Sequence, residues 1–146
     1  MTHGEIIERA TRGFSDVHDL TGDVRTIIGR SGVAEGLVVV SAIGSTASIT
    51  TLEFEPALVR DVEEALEALW SRTMHSHHSR TWGDDNGFSH LRAAFLGPSI
   101  TVPVHRGEPV LGTWQQIVVI DHDNTPRQRR VFVQVLGEEA GRAGGA

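Results

Sequence analysis

The stretch that opens at Pro56 constrains this chain more than any other. Proline suits the first position of a helix, where its missing N–H would have no partner in any case. Behind it Leu58, Val59, Val62, Ala65, Leu66, Leu69 and Trp70 fall on one stripe, with Arg60, Glu63, Glu64 and Glu67 opposite. A helix with one apolar face must bury it, and what this chain offers as a partner is a sheet. β-rich runs flank it: residues 37–43 and 47–54 before, then 100–104, 114–120 and 130–136 after. The spacing predicts a helix over residues 56–70 lying on a sheet. The last third reads as a meander, turning around Gly107 and again through the polar loop 121–129.

Shorter elements fill the rest. Thr21 suits an N-cap, with Asp23 in the first turn and Val24, Ile27 and Ile28 at helical spacing, and Gly32 is placed to end that helix. Residues 12–14 read as a short strand. Gly44, Ser45 and Thr46 fit a turn between two strands or a bulge in one long strand. Residues 88–96 form a short helix that stops at Gly97-Pro98. Residues 71–87 show no apolar periodicity, and so long a loop points to function. The whole, residues 1–146, reads as one domain with a core from about 10 to 137 and a frayed tail over 138–146.

Composition removes several classes of function. The longest apolar runs, 37–40 and 117–120, are far too short to cross a bilayer. Glu5 and Glu8 interrupt the N-terminal stretch, so it reads as neither leader nor anchor, and a cytoplasmic protein is expected. Cysteine is absent, so any metal must be held by imidazole or carboxylate. Lysine is absent too: all 13 basic residues are arginine, which excludes Schiff-base chemistry. A net charge of −6 argues against a nucleic-acid partner.

The densest chemical signal is Met74-His75-Ser76-His77-His78, with His90 twelve residues further on and Asp84, Asp85 and Asn86 between. Imidazoles from a loop and from a neighbouring helix turn can converge on one metal, with a carboxylate as a further ligand. The spacing equally fits a solvated histidine-rich loop. Ser45 and Thr46 offer hydroxyls and backbone N–H groups to an anion, or simply turn the chain. Glu53 follows on a β-rich run whose solvated and inward faces periodicity does not distinguish. Arg127, Arg129 and Arg130 suit phosphate recognition, or solvated charge, or pairing with Asp121 and Asp123. Trp114, beside Gln115 and Gln116, is of a type more often found in cores and interfaces than as a ligand platform.

Taken in order, these segments resemble one family. Gly112-Thr113-Trp114-Gln115-Gln116 resembles the GTWQ segment of the YjbQ-like proteins. Leu96-Gly97-Pro98-Ser99 with Val102-Pro103 is similar to their LGPS…P stretch, and Asp85-Asn86-Gly87-Phe88-Ser89-His90 to their asparagine-to-histidine segment. His78 falls where the family places an earlier histidine. Gly44-Ser45-Thr46-Ala47 through Glu53 resembles HTTA…E, and Arg129-Arg130 a terminal basic pair. The resemblance implies an α+β fold with an antiparallel, β-sandwich-like core and flanking helices, assembled as homotrimers with sites near subunit interfaces. It implies a weak or secondary thiamine-phosphate synthase activity, moving a hydroxymethylpyrimidine from its diphosphate to a thiazole phosphate. The alternative is a trimer that binds a metal or a phosphorylated ligand without catalysis. Carried onto this chain, the catalytic set is His78, His90 and Asp85, with His78 and His90 also holding a divalent metal, zinc or magnesium. A small phosphorylated ligand is expected to meet Ser45, Thr46, Glu53, Asn86, Trp114, Gln115, Arg129 and Arg130. Two positions depart from the pattern: Gly44 and Phe88 stand where many members carry histidine.

Overall fold

Two kinds of apolar run build two kinds of sheet. The structure, a computed structural model, describes residues 1–141. In chain order its elements are β1 (Thr2–Thr11), β2 (Asp16–Asp19), α1 (Thr21–Ser31), β3 (Val33–Ala42), β4 (Ala47–Leu52), α2 (Pro56–Leu69), α3 (His77–Trp82), α4 (Gly87–Leu96), β5 (Ser99–His105), β6 (Glu108–Pro109), β7 (Gln116–Asp121) and β8 (Arg127–Glu139). One sheet runs β1-β8-β3-β5-β6 and the other β2-β7-β4, with every pairing antiparallel.

Alternation marks the five-stranded sheet. Val131, Val133 and Val135 are fully buried, while Phe132 and Leu136 between and beyond them face outward. The three-stranded sheet is covered on both faces, so Ile117, Val118, Val119 and Ile120 are all buried without alternating. Ile117 and Val119 join α1 (Val24, Ile27, Ile28) and the inner face of the larger sheet in the main core. Val118 and Ile120 meet Val17, and Val59 and Val62 of α2 pack on them from outside with Leu96. Each such buried valine or isoleucine contributes roughly 1.5–3 kcal/mol of transfer free energy.

The long helix forms where the spacing places it. Glu55 caps it, its carboxylate accepting from the Ala57 N–H at 2.9 Å and the Leu58 N–H at 2.8 Å, with Pro56 at the first helical position. Only Leu66 of its stripe is fully buried; Leu69 overhangs the sheet and is 68% exposed. Gly32 ends α1 in the left-handed region at φ 74. Thr21 is the first helical residue rather than the cap, and Asp19 accepts from its backbone N–H and its hydroxyl.

Other expectations are corrected. Residues 12–14 are no strand: Gly13, Phe14 and Ser15 take φ values of 84, 56 and 68, a left-handed turn held by the carbonyls of Asp121 and Asp123. The core begins earlier than residue 10, because β1 pairs with β8 along its whole length and buries Ile7. Residues 44–46 are a turn between strands of different sheets, not a bulge. The stretch 71–87 contains a helix of its own, α3. Glu138 and Glu139 belong to β8 rather than to a frayed tail, and residues 142–146 lie outside the described residues. Among the described residues no helix is long and apolar enough to cross a membrane.

Candidate functional site

One edge of the molecule brings together the ends of β4, β7 and β8 with the two short helices. The frame is an ion pair. Period-2 alternation along β8 turns Arg129 inward, where Nε and Nη2 donate to the two carboxylate oxygens of Asp121 at 2.8 and 2.7 Å. Nη2 also bonds the Thr46 hydroxyl, which in turn donates to Asp123 at 2.9 Å. Such a bidentate pair is strong and geometrically fixed. The Asn86 amide donates to the same Asp123 carboxylate at 3.2 Å, and its carbonyl accepts from the Ser89 hydroxyl at 2.6 Å. Asp123 thus ties the start of α4 to the ends of both sheets. Burial pushes its carboxyl up, but hydrogen bonds from Thr46, Thr125 and Asn86, with the charge of Arg127, outweigh that and hold it below the usual value.

On this frame sits a cleft of roughly 480 Å³, bounded by Ser45, Thr46, His78, Asn86, His90 and Arg129 among others. Ser76 caps α3, its hydroxyl accepting from the Ser79 N–H at 3.0 Å, and so sets the turn that carries His78. The rings of His78 and His90 approach to 4.2 Å between centroids, tilted by 43°. Burial first, and the neighbouring His78 second, hold the His90 imidazole below its ordinary value, while Asp84 and Asp123 pull the other way. The balance favours the neutral form of His90. Nδ1 of His78 is out of contact with water and has no hydrogen-bond partner. Its nearest carboxylate oxygen, on Asp84, lies 3.7 Å away, too far for a hydrogen bond.

Two ligand atoms of a tetrahedral zinc stand about 3.3 Å apart, given metal bonds of about 2 Å. The spacing of His78 Nδ1 and Asp84 Oδ1, 3.7 Å, is close to that. No group of three or more histidine, aspartate or glutamate side chains is placed to hold a metal among the described residues. The donors fit a cation in kind and in one spacing, without a completed ligand set.

The structure brings Ser45, Thr46, His78, Asn86, His90 and Arg129 to this cleft and leaves the other expected residues outside it. Asp85 is exposed at φ 53, and Asp84 lines the cleft in its place. Arg130, next to Arg129 on β8, faces the opposite side of the sheet and is exposed. Glu53, Trp114 and Gln115 sit at the far end of the smaller sheet. Ala47 pairs with Asp121 beside the cleft and Leu52 with Gln116 away from it, so about five residues of strand, roughly 17 Å, intervene. Gln115 donates there to the Thr51 hydroxyl, and Trp114 is 71% exposed.

Arg127, one of the arginines that suit phosphate recognition, also lines the cleft, as do Trp82 and Asp123. Asp123 is readable only as a partner for the nearby arginines. A second cluster escaped the sequence altogether. His122, fully buried, has Nδ1 2.8 Å from the Ser15 hydroxyl and Nε2 2.8 Å from that of Ser48. Arg92, 1% exposed, donates to Ser15, to Glu67 and twice to the Trp70 carbonyl. Residues 117–123 are buried without a break, so no alternation marks His122, and its only signal is that it closely follows the apolar run 117–120.

An antiparallel α+β fold with paired histidines in a polar cleft at the common edge of two sheets defines a small globular protein. The chain matches the family described as "UPF0047 protein YjbQ-like" over residues 5–138. It belongs to that family. It is 39% identical over 120 residues to a UPF0047 protein of Methanothermobacter thermautotrophicus, covering 82% of each chain. It is 38% identical over 122 residues to a UPF0047 protein of Mycobacterium tuberculosis H37Rv, covering 80% of this chain and 87% of that one. Among solved structures it resembles a protein of unknown function from Sulfolobus solfataricus P2, with a TM-score of 0.89, 30% identity and coverage of 94% and 99%.

These findings overturn the expected thiamine-phosphate synthase activity. The family is one of unknown function, and none of these relatives is described by that activity. The residues expected to perform it are also dispersed. Arg129 is consumed by Asp121, Arg130 faces away, and Trp114 with Gln115 lies at the other end of the sheet.

Proposed function

We propose that the cleft is an acid–base site for a small phosphorylated molecule, with His78 and His90 handling its protons. One observation carries this reading: two imidazoles from separate helices meet at 4.2 Å over a polar cleft. Two imidazoles held this close, with Nδ1 of His78 unpartnered, suit a molecule bound between or beside them. A neutral His90 can accept a proton. Arg127 supports the phosphorylated ligand: its side chain is 52% exposed and its contact to Asp123 is long, at 3.3 Å, so the guanidinium is available to an anion. Ser45, exposed at the mouth, adds a hydroxyl.

Calorimetric titration with inorganic pyrophosphate tests the reading. Binding is expected, weakened at least about tenfold in Arg127→Met; absence of binding near pH 7 would sink it. A divalent cation between His78 and Asp84 is the second reading, favoured by the unpartnered Nδ1. Zinc binding that disappears in His78→Ala would select it.

We also propose that copies assemble as homotrimers through the outer face of the larger sheet. Ile6 faces Phe132 across one strand pair and Leu37 faces Leu136 across the next, each between 36% and 41% exposed. A monomer by light scattering at micromolar concentration would refute this.

A further inference from the structure

The outer wall of the cleft is α3, and it is attached differently from the other helices. None of its six residues is buried, whereas α1, α2 and α4 each bury at least one. The chain is pinned on both sides of it instead. Before it, the Ser71 hydroxyl donates to Glu67 at 3.0 Å, and the Arg72 guanidinium lies 4.5 Å over the Phe14 ring. After it, Asn124 donates to the Asp84 carbonyl at 2.8 Å. Between these anchors the ties to the body are few. The Gly87 N–H donates to the Ser79 hydroxyl at 3.3 Å, Ser76 packs on Gly87, and the His78 ring leans on His90.

The ends are suited to pivoting. Gly83 closes α3 at φ 65 with open space where a side chain would be, and Asp85 follows at φ 53. His78 and Trp82, four residues apart, share one face of the helix and both line the cleft. Trp82 is 71% exposed, a large apolar ring left in water at the rim.

We propose that α3 is a lid, which swings out to admit a ligand and closes on it, carrying His78 and Trp82 as one unit. What it closes on rests on the reading of the cleft given above; that it moves rests on its own attachment. A segment with no buried residue belongs to the least stable part of a fold and opens on its own. Closure brings the imidazole pair together as seen here, and a ligand held in the cleft would then cover the indole at the rim.

Hydrogen–deuterium exchange of the full chain, with and without inorganic pyrophosphate, tests the lid. Without ligand, the amides of α3 should exchange at least about tenfold faster than those of α4. Pyrophosphate should slow α3 about tenfold and leave β7 unchanged. A methyl group on Gly87 would stand 1.9 Å from the Ser76 hydroxyl oxygen, so Gly87→Ala should wedge α3 outward. Alanine is welcome in a helix, so α4 should be retained. The variant should speed α3 exchange and weaken pyrophosphate binding, and adding Ser76→Gly should restore both. Slow exchange in α3 equal to that of α4 overturns the lid, whether or not pyrophosphate binds. Pyrophosphate that binds without slowing α3 overturns it as well. If pyrophosphate fails to bind, the phosphate reading falls, and the unliganded exchange of the wild type and Gly87→Ala still decides whether α3 moves.

Discussion

His122 lies inside the fold with a serine hydroxyl 2.8 Å from each ring nitrogen, whereas His78 lines a cleft with Nδ1 satisfied by nothing. Arg92 donates to Ser15, and whichever nitrogen of the neutral His122 ring carries the proton, one serine hydroxyl accepts it while the other donates to the bare nitrogen. Burial first, and then the charge of Arg92, push this imidazole down to about 3, with Arg129 adding to the effect and Asp121 opposing it. His90 is shifted the same way, by a milder burial and by its histidine neighbour. A buried polar group with every bond made is a structural fixture; one with a bond missing is available for a ligand.

The comparison can be broken by acid. His122 titrates at about 3 in the fold against 6.5 when unfolded, so the unfolded chain binds the extra proton between those values. Its contribution to stability is therefore complete above pH 6.5 and lost as the pH falls toward 3, amounting to at most about 5 kcal/mol. Urea unfolding of the wild type and of His122→Gln should show a gap at pH 7 that narrows by pH 4. A gap independent of pH would mean that His122 is not held neutral by its surroundings.

Arg92→Met comes next. The change removes the donor to Ser15, Glu67 and the Trp70 carbonyl, at the point where the end of α2 meets α4. A loss of about 3 kcal/mol is expected in urea unfolding at pH 7. Arg127→Met, half exposed at the cleft, should cost no more than about 0.5 kcal/mol. Equal losses would erase the distinction between fixture and cleft.

The smallest effect on stability should come from His78→Ala, about 0.5 kcal/mol or less. Its signature is elsewhere. Without His78 nearby, the titration of His90, followed by NMR, should move up toward the ordinary histidine value. No movement would show that the two rings do not sense each other in solution.

How much of this was legible varies with the physics. The helix behind Pro56 and the apolar stripe of α1 are local periodicities, and they appear where the spacing places them. The closeness of His78 and His90 followed from motif order, and the structure brings the rings together. The left-handed turn at residues 13–15 carried no signal beyond Gly13, because Phe14 and Ser15 are held there by carbonyls more than a hundred residues away. The separation of Glu53, Trp114 and Gln115 from the cleft follows from the pairing of β4 with β7, a register that neither strand specifies alone. The opposite facing of Arg129 and Arg130 needed only the knowledge that β8 begins at Arg127 rather than three residues later.

β8 pairs on one side with β1, the first strand, and on the other with β3. During synthesis the partner of β1 therefore emerges last: Thr11 and Arg127, in contact in the fold, are 116 residues apart. At about 5–20 residues per second, the first strand waits roughly 6–25 s for its neighbour. Throughout that interval the Ile6-Ile7 segment is an unpaired edge, open to any other extended chain. β3, β5 and β6 can pair as they emerge, but β1 joins them only through β8, so the larger sheet is completed in one late step that brings its first strand in from the side.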